Sequence, residues 1–257
     1  EGSSSGSSVI HVNFGQDSSF AGIHTAQGNQ DGNDKGDFYY TPPAGFLALC
    51  TDNLADPLIS GVEAGEHFDT KLWPGTGNAS SGAQNITGVN FQPDWVWGKA
   101  RSVAYSSNLY DSVRGATKYM YSNATSSEVT EADSLTSFDS DGFSTGANAG
   151  AGINYSGVTY VAWNWKANGA GVSNGDGSIT STVSANPTAG FSVVTYGGNS
   201  TAGATVGHGL GIVPDMVIVK NRTGSSGFQN WGVYHSSLLN TQAVFLNTTT
   251  AVTANTT

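Results

Sequence analysis

The sequence predicts an all-β fold of tandem β-sandwich-like modules, and three observations support this prediction. Glycine contributes 35 of the 257 residues, which suits many short strands joined by tight turns. No long stretch shows the 3.6-residue apolar period of an amphipathic helix. One stretch of sequence also occurs twice, so the chain contains an internal repeat of a whole structural unit.

The repeat is marked by similar residues at a nearly constant offset. Pro93 and Pro214 are 121 residues apart, whereas Asn123 and Asn247 are 124 apart, so the second copy has gained about three residues. We expect the two copies to superpose with the same strand order. The first copy comprises residues 91–125 and the second comprises residues 212–249.

The elements before the repeat are short. Residues 9–14 alternate weakly and predict a strand, and the apolar run at residues 46–51 predicts a short buried strand. Cys50 lies in that run and is expected to pack as a small hydrophobe, since a single cysteine forms no intrachain disulfide. The composition changes near residues 61–65, where we place a domain boundary.

The first module starts at Phe68, and its later strands are expected at residues 91–99 and 118–122, with a strand, turn and strand over 137–143. Residues 159–166 alternate strictly, so successive side chains take opposite faces. We expect Val161, Trp163 and Trp165 to face the core, and Asn164 to be more exposed. After a linker at 168–176, further strands are predicted at 179–183, 191–196, 216–220, 231–235 and 243–246.

The charge distribution excludes some functions. The formal net charge is −10, from 19 acidic and 9 basic residues, and no cluster of Lys and Arg occurs. The sequence therefore predicts no nucleic-acid partner, because binding to phosphates requires such a cluster. No apolar stretch approaches 18 residues, so we predict no membrane insertion.

One loop resembles a calcium site. Asp31, Asn33 and Asp37 present oxygen ligands at alternate positions, and Gly36 stands at the sixth position of the loop. Lys35 occupies a ligand position, however, and no glutamate stands at the twelfth. Turn chemistry alone explains the Asp, Asn and Gly content, so calcium is the weaker interpretation and no other cofactor is predicted.

No catalytic or metal-binding constellation is evident. The five histidines lack the spacing of zinc ligands, and no Gly-x-Ser-x-Gly elbow follows a strand. The pairs Glu63/Glu66 and Glu128/Glu131 could serve glycoside hydrolysis only at a suitable separation in space. We therefore predict that the chain is not an enzyme.

Two tryptophans are candidates for contact with a glycan. Trp73 and Trp231 flank loops containing Gly or Pro, and an indole can stack on the apolar face of a sugar ring. Burial in a core or interface is the alternative, and it is favoured for either one. Two cation pairs also recur, and each either binds a nearby carboxylate such as Asp94 or Asp111 or makes a contact repeated by each module. The pairs are Lys99/Arg101 and Lys220/Arg222.

Several motifs resemble a known group of modules. They are QPDWVW at 92–97, YDSVRGAT at 110–117, LTSFDSDGF at 135–143 and YVAWNWK at 160–166. These resemble a domain that recurs in tail and fibre proteins of marine bacteriophages, especially cyanophages. Residues 191–249 resemble the companion module, through VGHGLG at 206–211 and WGVYH at 231–235. Residues 9–60 resemble the C-terminal end of a SPRY- or concanavalin-like sandwich, through NFGQ at 13–16 and PPAGFLALCT at 42–51.

The resemblance implies three domains and a role in a virion. The domains are the end of a sandwich (1–62), a first module (63–168) and a second, truncated module (169–257). The implied function is that of a phage structural protein, a tail fibre or adhesin, with no catalytic residues. A polysaccharide depolymerase and a capsid-surface decoration protein are the alternatives. Expected partners are the chain itself as a homotrimer, other virion proteins, and a glycan or protein of the host surface.

Overall fold

The computed structural model describes residues 11–53, 63–78, 81–147, 152–224 and 227–254. The chain divides into two compact units, residues 1–61 and residues 62–257. The predicted all-β fold class is confirmed, because every paired strand in the described residues lies in an antiparallel sheet. The described residues contain two short 3-10 helices, Thr51–Asn53 and Ala64–Glu66, and no α-helix.

All strands in the described residues lie in the second unit. In chain order they are β1 (Phe68–Pro74), β2 (Gln84–Thr87), β3 (Trp95–Ala100), β4 (Asn108–Asp111), β5 (Lys118–Tyr121), β6 (Val129–Thr130), β7 (Leu135–Asp139), β8 (Gly142–Thr145), β9 (Thr159–Trp165), β10 (Val172–Asn174), β11 (Ser181–Asn186), β12 (Phe191–Tyr196), β13 (Met216–Val219), β14 (Gly232–His235), β15 (Gln242–Phe245) and β16 (Thr253–Ala254).

The first unit is built from turns. Its described residues contain one isolated bridge, Asn29 to Phe38, and no strand. The predicted buried strand at 46–51 is wrong: Phe46 and Leu49 are exposed, and the N–H of Ala48 donates to the Asp31 carboxylate instead of to a neighbouring strand. The predicted strand at 9–14 does not form over residues 11–14, and its first two residues lie outside the described residues.

The first module is a two-layer sandwich. One sheet has the strand order β1-β9-β3-β4-β5-β6, and the other has the order β2-β8-β7. The core between them takes side chains from both sheets, among them Val96, Tyr110 and Tyr160 from the large sheet and Leu135 and Phe143 from the small one. The predicted strand, turn and strand at 137–143 correspond to β7 and β8, which are joined by a two-residue turn.

Of the three β9 residues predicted to face the core, only Val161 is buried, at 8% exposed, and the core between the two sheets is formed by the opposite face. Ala162 and Asn164 are fully buried, as is Tyr160, whereas Trp163 and Trp165 are only half-buried. The amide nitrogen of Asn164 donates to the backbone oxygen of Asp69 on the neighbouring strand β1, at 3.1 Å, whereas its side-chain oxygen is buried without a hydrogen-bond partner among the described residues. Trp163 instead lies on the outer face of the sheet, with its ring 6.2 Å from that of Trp97.

The second copy of the repeat reproduces the strand order of the first. The orders β3-β4-β5-β6 and β13-β14-β15-β16 correspond, and the pairs Trp95↔Asp111 and Met216↔His235 occupy equivalent places. The next two strand pairs also keep the same register. The predicted superposition is thus confirmed at the level of strand order and register, and the additional residues of the second copy lie between β13 and β14.

The repeated asparagines have a structural role in both copies. The side-chain oxygen of Asn123 accepts from the N–H of Ser107 at 3.1 Å, and that of Asn247 accepts from the N–H of Trp231 at 2.8 Å. Each bond ties the turn after the third strand to the loop before the second one. Asparagine therefore recurs because it fixes a turn, which is a common use of its side chain.

Candidate functional site

The back faces of the two copies pack against each other. Leu109 and Met120 from the first copy form a buried cluster with Trp231 from the second copy, and the outer-face residues Trp95, Trp97 and Ile218 pack around it. We call this cluster the junction. Because aromatic and aliphatic side chains from both copies meet here, the copies form one packed body.

Trp231 is a junction residue and not a sugar-stacking one. Its side chain is 2% exposed, and its Nε1–H donates to the backbone oxygen of Tyr121 at 2.9 Å. A ring so enclosed has no free face for a sugar, so the candidate glycan contact is contradicted, and Trp231 takes the alternative favoured from the sequence, burial in an interface. The bond satisfies the one polar atom of the indole inside an apolar contact.

Trp73 is likewise a core residue. It is 6% exposed and stacks on Tyr160 with ring centroids 5.3 Å apart, and Phe143 meets its ring edge-on. The candidate glycan contact is therefore contradicted for Trp73 too, and the favoured alternative of burial in a core is confirmed. The flanking Pro74 and Gly75 suggested a surface loop, but β1 pairs with β9 along its whole length and directs the indole into the sandwich.

A buried ion network lies beside the junction. The Arg114 guanidinium donates to the Asp111 carboxylate and, at 2.8 Å, to the backbone oxygen of Leu109. It also reaches the Glu128 carboxylate at 3.3 Å. The side chains of Arg114 and Asp111 are almost completely buried. Such a pair is tolerated in a core because each charge has a charged partner and further hydrogen bonds.

Glu128 extends this network to the second copy. Its carboxylate lies 3.5 Å from the guanidinium of Arg222, and its N–H donates to the backbone oxygen of Arg222 at 2.9 Å. Lys220 donates to the backbone oxygen of Thr125, and burial lowers the pKa of its ammonium group. The second cation pair therefore contacts the first copy, whereas Lys99 of the first pair donates to the nearby backbone oxygen of Tyr105.

The loop considered for calcium is a hydrogen-bonded turn. One oxygen of Asp31 accepts from the N–H groups of Asn33 and Lys35, and the other accepts from Ala48 and the side chain of Asn53. Burial alone would raise the pKa of Asp31, but these four hydrogen bonds lower it to about 2. Asn33 donates its amide to Asn53, and Asp37 accepts from the N–H of Ser18.

The described residues contain no group of three or more His, Cys, Asp or Glu side chains that could hold a metal ion. In this part of the chain there is also no helix long and apolar enough to cross a membrane.

The second copy carries a group of exposed apolar side chains, which we call the open face. The open face consists of Ile212, Val213, Val217 and Val219. In the first copy, Phe91 and Val96 stand at the positions of Ile212 and Val217. Phe91 is 3% exposed and Val96 is 0% exposed, whereas Ile212 is 64% exposed and Val217 is 38% exposed. The difference arises because the sheet β2-β8-β7 covers the first copy.

A groove of about 580 Å³ adjoins the open face. It is lined by Asp176, Pro214 and the stretch from Val206 to Val213 without Leu210. The lining thus combines glycines, apolar side chains, one carboxylate and the imidazole of His208. The sequence analysis described residues 169–257 as a second, truncated module and did not single out this surface.

Residues 63–257 match the model of a domain of unknown function, DUF7483. No curated protein and no solved structure matches the chain.

Proposed function

The chain belongs to the DUF7483 family over residues 63–257, and we propose that it is a structural component of a bacteriophage particle, a tail fibre or adhesin that contacts the host surface. The observation that supports this most is the repetition of one β-unit with the same strand register in both copies. Repetition of a unit extends a surface without new chemistry, which suits attachment better than catalysis.

The way in which the copies are joined also favours a structural role. The junction buries Trp231 against Leu109 and Met120, and Glu128 bridges Arg114 and Arg222 beside it. Rigidly joined units transmit force, as a fibre must. The motifs that resemble marine phage modules, among them QPDWVW at 92–97, are the reason for proposing that the particle is a bacteriophage.

In this proposal the chain resides in the virion, where its partners are further copies of itself, other virion proteins and a glycan or protein on the host surface. The chain contributes binding and rigidity, and no reaction step is assigned to it. The carboxylate of Glu128, one of the acidic side chains considered for hydrolysis, is held by two guanidinium groups at the junction.

The proposal is tested by competition for the host. Purified chain, labelled with a fluorophore, is mixed with the bacteria on which the corresponding phage grows. We expect saturable binding to the cells and slower adsorption of the phage. Bacteria stripped of surface glycan and bacteria treated with protease serve as controls that separate a glycan receptor from a protein receptor. Absence of both binding and competition would contradict the adhesin role.

A further inference from the structure

Three loops of the first module meet at one end of its sandwich, and we call this surface the loop end. It comprises, among the described residues, 75–78, 101–107 and 152–157. The N–H of Ser156 donates to the backbone oxygen of Gly77 at 2.9 Å, and the N–H of Thr159 donates to the Ser102 hydroxyl at 3.1 Å. The loops connect β1 to β2, β3 to β4 and β8 to β9, and each of these strands is paired. The loop end is therefore a loop surface on two packed sheets and not an unpaired strand edge.

A buried asparagine fixes two of these loops. Asn154 is 0% exposed, and its amide nitrogen donates to the backbone oxygens of Gly82 and Gly146 at 2.9 and 2.8 Å. Its side-chain oxygen accepts from the N–H of Thr76 at 2.9 Å and from the amide of Gln84 at 2.6 Å. Both donors and the acceptor of this amide are thus used to hold the loops. Loops held by a rigid scaffold are where proteins commonly place their binding residues.

The loop end presents aromatic surface to solvent. Tyr105 is 40% exposed and Val103 is 37% exposed. The ring of Tyr105 lies against that of Tyr155, with centroids 5.4 Å apart, and the N–H of Tyr155 donates to the hydroxyl of the buried Tyr160 at 2.9 Å. Tyr105 is therefore supported by a ring that is itself anchored in the core. Tyrosines held in this way provide contact area at a small loss of conformational entropy, as they do in antibody loops.

Two cations lie at the same end. The Lys99 ammonium donates to the backbone oxygen of Tyr105, and Arg101 is exposed, with its N–H bound to the backbone oxygen of Thr159 at 2.7 Å. Among the described residues, neither cation forms a salt bridge with a carboxylate. The formal net charge of the chain is −10, so these two unneutralised charges stand out from it and favour an acidic partner.

The repeat indicates which chemical group the partner carries. Lys220 and Arg222 are the equivalent cations of the second copy, and the Arg222 guanidinium lies 3.5 Å from the Glu128 carboxylate of the first copy. Val252 stands at the position of Glu128 in the second copy, because β16 pairs with β15 as β6 pairs with β5. The second copy therefore has no equivalent carboxylate for Arg101.

We propose that the loop end binds an acidic sugar residue, a hexuronate or a sugar of similar charge, in a polysaccharide of the host surface. This inference rests on the proposed function as an adhesin, and it names the receptor class and the site. The apolar face of the sugar ring stacks on Tyr105. The sugar carboxylate accepts hydrogen bonds from the Arg101 guanidinium, which is the role that Glu128 has toward Arg222.

The test measures binding of the full chain to polysaccharide purified from the bacteria of the competition experiment. Native polysaccharide is compared with the same material after reduction of its carboxyl groups to primary alcohols, which keeps the sugar rings and removes the charge. We expect saturable binding of the native material and at least about tenfold weaker binding of the reduced material, since a hydrogen bond to a charged group contributes that much. Equal binding of the two would overturn the proposal. Equally tight binding of poly-glutamate would overturn it too, because it would assign the surface to an acidic protein.

Two variants locate the site. Arg101→Gln removes one charge, and Tyr105→Ala removes the stacking ring. Each should weaken binding of the native polysaccharide at least about tenfold. The controls are Lys118→Gln, which removes one charge on β5, and Tyr196→Ala, which removes another exposed tyrosine. Both controls should bind as the unchanged chain does, and urea denaturation verifies that all four variants are folded. Undiminished binding by folded Arg101→Gln would overturn the proposal.

Binding to whole bacteria separates this inference from the function on which it rests. If the unchanged chain binds the cells and Arg101→Gln and Tyr105→Ala bind them equally well, the loop end is not the site, although the adhesin role stands. If the unchanged chain does not bind the cells, the adhesin role itself is contradicted. Loss of cell binding in these two variants alone is the result that we expect.

Discussion

At the scale of single residues, a buried polar side chain shows where the structure differs from the core face that the sequence pattern suggested. The alternation of residues 159–166 gives two faces but does not say which one is covered. Three indole or aliphatic side chains on one face suggested the core, yet the sandwich buries Asn164, whose amide nitrogen donates to a backbone oxygen of β1. Information on partner strands is absent from a local pattern, so this choice of face could not be predicted.

Asp31 provides a prediction about pH. Its pKa is about 2 in the folded chain, below its unfolded value of about 3.9. The carboxylate therefore stabilises its loop fully above about pH 4, and this contribution is lost as the pH falls through about 2. Hydrogen exchange should show lower protection of the Ala48 amide at pH 2 than at pH 5. Asp31→Asn should lower that protection already at pH 5, whereas Asp34→Asn, an exposed position in the same loop, should not. Equal effects of the two changes would contradict this role.

Trp231 is fully buried and Trp163 is half-buried, so replacing each by alanine should lower the free energy of unfolding by a different amount. Trp231→Ala removes a fully buried indole and its hydrogen bond to Tyr121, so it should lower the free energy of unfolding by about 3–5 kcal/mol. Trp163→Ala acts on a half-buried ring and should cost clearly less. Urea denaturation of both variants measures the difference in unfolding free energy, provided that the dependence of this free energy on urea concentration is unchanged. A larger loss for Trp163→Ala would mean that the assigned faces of β9 are reversed.

At the scale of elements, the repeat was the most predictable feature. Pro93 and Pro214 stand before equivalent strands, and Asn123 and Asn247 close equivalent turns, because both residue types impose a local backbone geometry that the sequence reveals. The junction was less predictable. Contacts such as Trp231 with Leu109 join residues far apart in the chain, and a pattern within one strand does not indicate them.

The ion network at the junction gives a matched pair of variants. Arg114→Ala leaves the buried Asp111 carboxylate without its charged partner and should lower the free energy of unfolding by about 3–5 kcal/mol. Arg222→Ala removes a partly exposed contact to the same Glu128 and should cost only about 0–1 kcal/mol. Chemical denaturation distinguishes the two. Similar losses of unfolding free energy in the two variants would show that the buried pair stabilises the fold no more than the partly exposed contact does.

At the scale of the whole molecule, we predict that the chain forms a homotrimer. The open face leaves apolar side chains such as Ile212 and Val217 exposed, and identical chains commonly assemble with closed cyclic symmetry. Each contact between subunits should bury at least about 1,000 Å². Light scattering of the full chain at micromolar concentration measures its mass in solution. A stable monomer would contradict this prediction.

The chain should not hydrolyse host polysaccharide. The Glu128 carboxylate is bound by Arg114 and Arg222, so it is unsuited to act as a proton donor or a nucleophile in a cleft. Release of reducing ends from host lipopolysaccharide or capsule measures this activity, with boiled chain as the control. Turnover that disappears when a pair of carboxylates is changed would place the chain among the depolymerases.

An image of the intact particle decides whether this chain is a structural part of a phage tail. Particles are labelled with an antibody against residues 63–254 and examined by cryo-electron microscopy. Label is expected on the tail, at fibres or at the tip. Label spread over the head would indicate a decoration protein, and particles without label or chain would contradict a role in the virion.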